Sequence, residues 1–149
     1  MKEPVVADSA CLIALERIDN LDVLPALFDL VVIPPEVERE FGVSRAWLEV
    51  KAPTNDALVA SLKMLVDDGE AEAIALACEN RSKIILDDRQ ARSVARNLNL
   101  TFIGTVGILV RAKHAGIIPA VKPLLDSLED NNFFISKSLK DEALRLTDE

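Results

Sequence analysis

Residues 83–98 read KIILDDRQARSVARNL. KIIL (83–86) is a short apolar run of the length and composition of a buried strand. It stops at an acidic doublet, Asp87-Asp88. The chain then turns helical over residues 90–98. Ala91, Val94, Ala95 and Leu98 form an apolar face there. Arg89, Arg92 and Arg96, spaced i, i+3 and i+7, share the opposite face. Strand, acidic end and amphipathic helix make one unit of an α/β protein.

The same unit recurs in both directions. PVVAD (4–8) is an apolar run ending in Asp8, followed by Ser9 and a helical pattern over 9–17. LVVI (30–33) is stopped by Pro34-Pro35. Pro35 suits the first turn of a helix because its missing N–H costs nothing there. That helix should run to Phe41 and end at Gly42. Residues 21–28 read as a short helix and 47–52 as a short extended piece. Helices are predicted over 56–66 and 70–79, broken by Asp67-Asp68-Gly69. A strand over 101–103 precedes a helix over 106–114, and further helices cover 119–128 and 139–146. Residues 133–136 could be extended. Buried strands alternating with helices predict an α/β fold with a mostly parallel sheet covered on both faces. With 149 residues and neither repeat nor linker, one domain spanning 1–149 is expected.

Ligands of open α/β sheets bind outside the carboxyl ends of the strands. Asp8 and the Asp87-Asp88 pair fall at two such ends. Either Asp8 or Asp88 could instead be a helix N-cap, accepting from first-turn N–H groups. One acid suffices for a cap, so the doublet is less well explained that way. Glu40 sits late in its helix, where the dipole disfavours an acid by a few tenths of a kcal/mol. Glu72 lies among Ala71, Ala73, Ala75 and Ala77, with Glu79 on nearly the same face. Glu70 begins that helix and reads as a favourable N-terminal charge. Several carboxylates gathered together repel, and without a cation some must be protonated. Mg²⁺ or Mn²⁺, which prefer oxygen ligands, would resolve the repulsion and suit phosphodiester hydrolysis. One His and two isolated cysteines, Cys11 and Cys78, make no zinc site.

The ordered set Asp8-Ser9, IPPEVEREF (33–41), GEAEAIALA (69–77), IILDDRQAR (84–92) and FIGTVGILVRAKHAGIIP (102–119) resembles the PIN-domain family, in its VapC-like branch. The resemblance covers about residues 4 to 146. It implies a three-layer α/β/α sandwich and a Mg²⁺- or Mn²⁺-dependent endoribonuclease, commonly the toxin of a toxin–antitoxin pair. Residue by residue, it puts the first acid at Asp8, supported by Ser9. The second falls at Glu40, with Glu36 and Glu38 as alternative registers. The third falls at Glu72, where relatives more often have Asp, and the fourth at Asp88, with Asp87 as an alternative ligand. Leu86 stands where many relatives have a hydroxyl. Arg89, Arg92 and Arg96 are the candidate RNA phosphate contacts, and Gly104-Thr105-Val106-Gly107 either cradles phosphate or merely turns into a helix.

Composition both constrains and challenges this expectation. Half of the residues are hydrophobic, and 25 Asp+Glu against 17 Lys+Arg leave a net charge of −8. That balance excludes a general nucleic-acid coat. Residues 81–122, however, carry eight Lys/Arg and only the two acids Asp87 and Asp88. A small metal-centred site beside a local arginine face is compatible with that distribution. No apolar run is long enough to span a membrane, residues 1–18 do not make a signal peptide, and the cytoplasm is the expected compartment. Apolar helices at 12–18 and 24–28 could serve an antitoxin or homodimer interface, or simply the core. A catalytically weak RNA-binding or regulatory PIN module is the competing reading. A receiver-type signalling domain fits less well, because the acidic pair is not at the first strand.

Overall fold

β1 (Pro4–Ala7) is the centre of the sheet in the computed structural model, which describes residues 3–149. Val5, Val6 and Ala7 are wholly buried. A strand with neighbours on both sides and helices on both faces has no solvent face, so alternation disappears from its sequence. β2 (Leu30–Ile33) and β4 (Lys83–Ile85) flank it, and β3 (Leu48–Val50) and β5 (Phe102–Ile103) form the edges. The order is β3-β2-β1-β4-β5, with every pairing parallel. The chain therefore builds outward from β1 on one side, then returns to build on the other.

The helices that cover this sheet are α1 (Ser9–Arg17), α2 (Val23–Leu27), α3 (Pro35–Phe41), α4 (Asp56–Leu62) and α5 (Asp68–Asn80), followed by α6 (Arg89–Asn97), α7 (Thr105–His114), α8 (Lys122–Asp130) and α9 (Lys137–Leu146). The result is the expected three-layer α/β/α arrangement. α5 packs on β1 and β4 and carries α3 and α4. Its Ala71, Ala73, Ala75 and Ala77 are all fully buried. Small side chains let this helix approach closely on more than one side. α3 begins with Pro35 and ends at Gly42, whose φ of +70° is the left-handed conformation that favours glycine at a helix end.

Several expectations shift. α5 starts at Asp68, with Asp67 as its cap, so Asp68 and Gly69 are helical rather than a break. Residues 133–136 form an irregular connector, not a strand. The apolar helix faces at 12–18 and 24–28 are core: Leu12, Leu15 and Leu24 are fully buried, and Phe28 nearly so. Leu98, expected on the buried face of α6, is exposed. Cys11 is buried, Cys78 half-buried, and both are free thiols. Among the described residues no helix is long and apolar enough to cross a membrane.

The C-terminal helices are tied down by one carboxylate. Glu149 accepts from the Val121 N–H at 2.9 Å and the Lys122 N–H at 2.9 Å, and Lys113 Nζ approaches it at 3.2 Å. It thereby supplies α8 with the cap that Val121 cannot. Those donors pull its pKa down to about 2 from 4.5. A carboxyl depressed in the folded state contributes stability above its unfolded pKa and loses it as pH falls through the folded one. Glu149→Gln should therefore lower Tm by a few degrees at pH 7, with the gap closing near pH 2. A melting series from pH 7 to pH 2 measures this.

Candidate metal centre

The point where strand order reverses lies between β1 and β4. Ala7 is in register with Ile85. The chain therefore leaves both strands at the same level, Asp8 from one and Leu86-Asp87-Asp88 from the other. Carboxyl ends at such a switch point open a crevice that no crossover helix fills.

Asp8 occupies the N-cap position of α1, yet its side chain makes no capping bond. It is only 5% exposed. Burial pushes its pKa up to about 7, the Ser9 backbone N–H opposes this, and the charges of Glu70, Asp67 and Glu40 add to it. Glu40 reaches the same place from α3. Its Oε1 accepts from Ser9 Oγ at 3.4 Å, and its pKa is raised, first by burial and then by Asp67. The carboxylate lies against Gly69, where any Cβ would collide with Glu40 Oε1. Glycine at this position in α5 keeps room for the acid of α3.

Glu70 is the member that sequence reasoning missed. Asp67 Oδ1 accepts from the Glu70 N–H at 2.8 Å, and Glu70 Oε1 accepts from the Asp67 N–H at 3.1 Å. This is a capping box, which orients Glu70 inward rather than leaving it a solvated helix-end charge. Glu70 is 8% exposed, and its pKa is also pushed to about 7, by burial first and then by the Asp67 and Asp88 charges. The Asp-x-x-Glu spacing of residues 67–70 was the available signal.

Glu72, the expected third acid, goes elsewhere. Two residues along a helix is about 200° of rotation. Its Oε1 accepts from the Glu36 N–H at 3.1 Å, where it caps the start of α3. Glu36 itself pairs with Arg39, which removes one alternative to Glu40.

The acidic doublet divides its work. Asp87 turns to the β5–α7 junction, accepting the Thr105 N–H at 2.8 Å and the Thr105 hydroxyl at 2.6 Å. Both of its oxygens are engaged, so it fixes the turn and is not a free ligand. The Thr105 N–H is consequently unavailable to phosphate. A Cβ at Gly104 would strike Arg92, and one at Gly107 would crowd Ile103, so the two glycines serve close packing. Asp88 caps α6 through Oδ2, accepting the Ala91 N–H at 2.9 Å. Its charge is nonetheless felt by Glu70.

Arg92 is likewise structural. Its Nε donates to the Leu86 carbonyl at 2.7 Å, and its guanidinium lies 5.2 Å from the Phe102 ring centroid. Arg89 and Arg96 remain exposed on the outer face of α6, Arg96 also above Phe102 at 5.3 Å.

A family model described as PIN domain matches residues 4–149. The chain belongs to the PIN-domain family. PIN domains are generally nucleases, and typically depend on divalent metal. This PIN domain is also 35% identical over 63 residues to a protein named porphobilinogen deaminase from Vesicomyosocius okutanii subsp. Calyptogena okutanii (strain HA). That stretch is 41% of this chain, and the chain spans about a fifth (21%) of that protein's length.

The donor set of this PIN domain suits a hard cation. Asp8 and Glu70 are buried carboxyls near other carboxyls, and their pKa values are raised by burial first and by the neighbouring acids second. All donors are oxygen, the preference of Mg²⁺ and Mn²⁺. Among the described residues, however, no three acidic, His or Cys side chains converge into a finished ligand set. Repulsion and local donors explain this: Glu40 rests on Ser9, Glu70 on the Asp67 N–H, and Asp88 on the Ala91 N–H.

Proposed function

We propose that this protein is a divalent-metal-dependent endoribonuclease that works through Asp8, Glu40, Glu70 and Asp88. The observation that carries the reading is the pair of buried carboxyls at the switch point of the sheet, Asp8 and Glu70, whose charged neighbours among the described residues are other carboxylates. A hard divalent cation, when bound, acidifies water and stabilises charge developing on phosphodiester oxygens. The chain does the rest. Burial and neighbouring carboxylates bias Asp8 and Glu70 toward the protonated form, and these two with Glu40 and Asp88 would hold the cation. Ser9 orients Glu40, and the Ala91 N–H orients Asp88 while leaving its second oxygen available. Asp87 and Arg92 brace the loop that carries Asp88. Arg89 and Arg96 offer charge to the RNA backbone.

In this reading the protein is the toxin of a toxin–antitoxin pair, as its VapC-like motif order suggests. A second reading, an RNA-binding module with weak catalysis, is favoured by the unconverged ligand set and by Leu86 in place of a hydroxyl. One assay separates them. A mixed single-stranded RNA pool is incubated with the protein in chelator, Mg²⁺ or Mn²⁺. The nuclease reading expects internal cleavage with either ion and none in chelator. Binding without cleavage under every condition would select the second reading.

A further inference from the structure

An open groove of about 770 Å³ runs beside the acidic site, between α6, the β5–α7 turn and the connector from α8 to α9. Asp87 and Gly104 stand at its catalytic end, Arg89 and Arg96 along one wall, and Phe134 on the other. Phe134 is 86% exposed. Its neighbour Ile135 is buried in the core, and the Phe133 N–H is held by the Leu128 carbonyl at 2.9 Å. The backbone that presents Phe134 is therefore fixed while the ring stands in solvent. A ring that stands in solvent on an anchored backbone, across a groove from two guanidinium groups, is placed for a ligand to cover it. Guanidinium groups opposite an aromatic face match a chain of phosphates and unpaired bases.

We propose that Phe134 is a stacking platform for an unpaired base of RNA held in this groove, with Arg89 and Arg96 taking the adjacent phosphates. The inference rests on the ribonuclease reading and adds the residue that selects unpaired RNA. A duplex keeps its bases stacked on each other, so it cannot place one on Phe134.

Phe134→Ala and Phe134→Trp test it, alongside wild type, by fluorescence anisotropy with Ca²⁺ present to suppress turnover. The probes are a labelled single-stranded RNA, the same strand with abasic positions, and its duplex. Loss of one stacked base is worth about tenfold in affinity. Phe134→Ala should weaken single-strand binding by that factor and Phe134→Trp should preserve it. The abasic strand should bind wild type and Phe134→Ala alike. Melting temperature should not move, because the ring touches little of the protein. Equal affinity of wild type and Phe134→Ala for the intact strand would overturn the stacking role while leaving metal-dependent cleavage intact. Absence of RNA binding and cleavage by wild type would overturn both readings together.

Discussion

Asp8→Asn is expected to abolish RNA cleavage and, at the same time, to stabilise the protein in chelator. The first effect follows from removing the most buried carboxylate of the site, and should exceed about a hundredfold in turnover. The second follows from linkage. The folded Asp8 carboxyl titrates near 7 against 3.8 unfolded, so between these values the folded state binds more protons than the unfolded one. Wild-type stability in chelator therefore declines as pH rises from about 4 to about 7, and stays at its lower level above that. Glu70, raised from 4.5 to about 7, deepens the decline over the same window. Three pH units on one buried group correspond to a few kcal/mol, on the order of 5 °C or more in Tm for a chain of this size. Asparagine keeps the shape and removes the charge. At pH 8 in chelator Asp8→Asn should melt higher than wild type, and Mg²⁺ should close the gap by stabilising wild type alone. A variant that melts no higher than wild type and shows no change with Mg²⁺ would show that Asp8 carries no uncompensated charge.

The second large effect is a contrast two residues apart. Glu70→Gln should cost at least about tenfold in metal-dependent cleavage, because it replaces an inward carboxylate by a neutral amide. Glu72→Gln should leave cleavage within about twofold of wild type. Its amide oxygen can still accept the Glu36 N–H, so α3 keeps its cap. Parallel rate measurements at saturating Mn²⁺ decide between them. Loss of activity in Glu72→Gln with Glu70→Gln unaffected would restore the assignment implied by the motif alone.

That contrast shows where the sequence was readable. The buried strands were legible because VVA, VVI and II carry no polar alternation, and a strand with solvent on neither face needs none. Pro35 and Gly42 marked the ends of α3 because each has a backbone conformation that few other residues match. Asp8 and Glu40, both singled out in the sequence, lie near each other in the fold: Asp8 follows β1 directly, and Glu40 reaches Ser9 from the end of α3. The orientation of Glu70 was hidden by a single boundary. Taking Asp67-Asp68-Gly69 as a break made Glu70 a helix-end charge. Starting α5 at Asp68 turns Glu70 toward Asp8 and turns Glu72 toward α3. Adjacent residues diverge in the same way at Asp87 and Asp88: Thr105, distant in sequence, engages both oxygens of Asp87, while the Ala91 N–H engages one oxygen of Asp88. Arg92 shares its helix face with Arg89 and Arg96. Its capture by the Leu86 carbonyl and Phe102 depends on a loop path that helical spacing does not encode.

The sheet order has a consequence for synthesis. The acids at 8, 40 and 70 leave the ribosome before β4, yet β1 lacks its second neighbour until β4 arrives. Asp88 follows β4 directly. A partly made chain thus holds three acids on an incomplete sheet, and the crevice closes only after residue 88 and the helix that anchors it have emerged. Chain order itself places Asp88, the last of these acids, after the second neighbour of β1, so the four carboxylates can share one finished sheet edge only once β4 and α6 have been made.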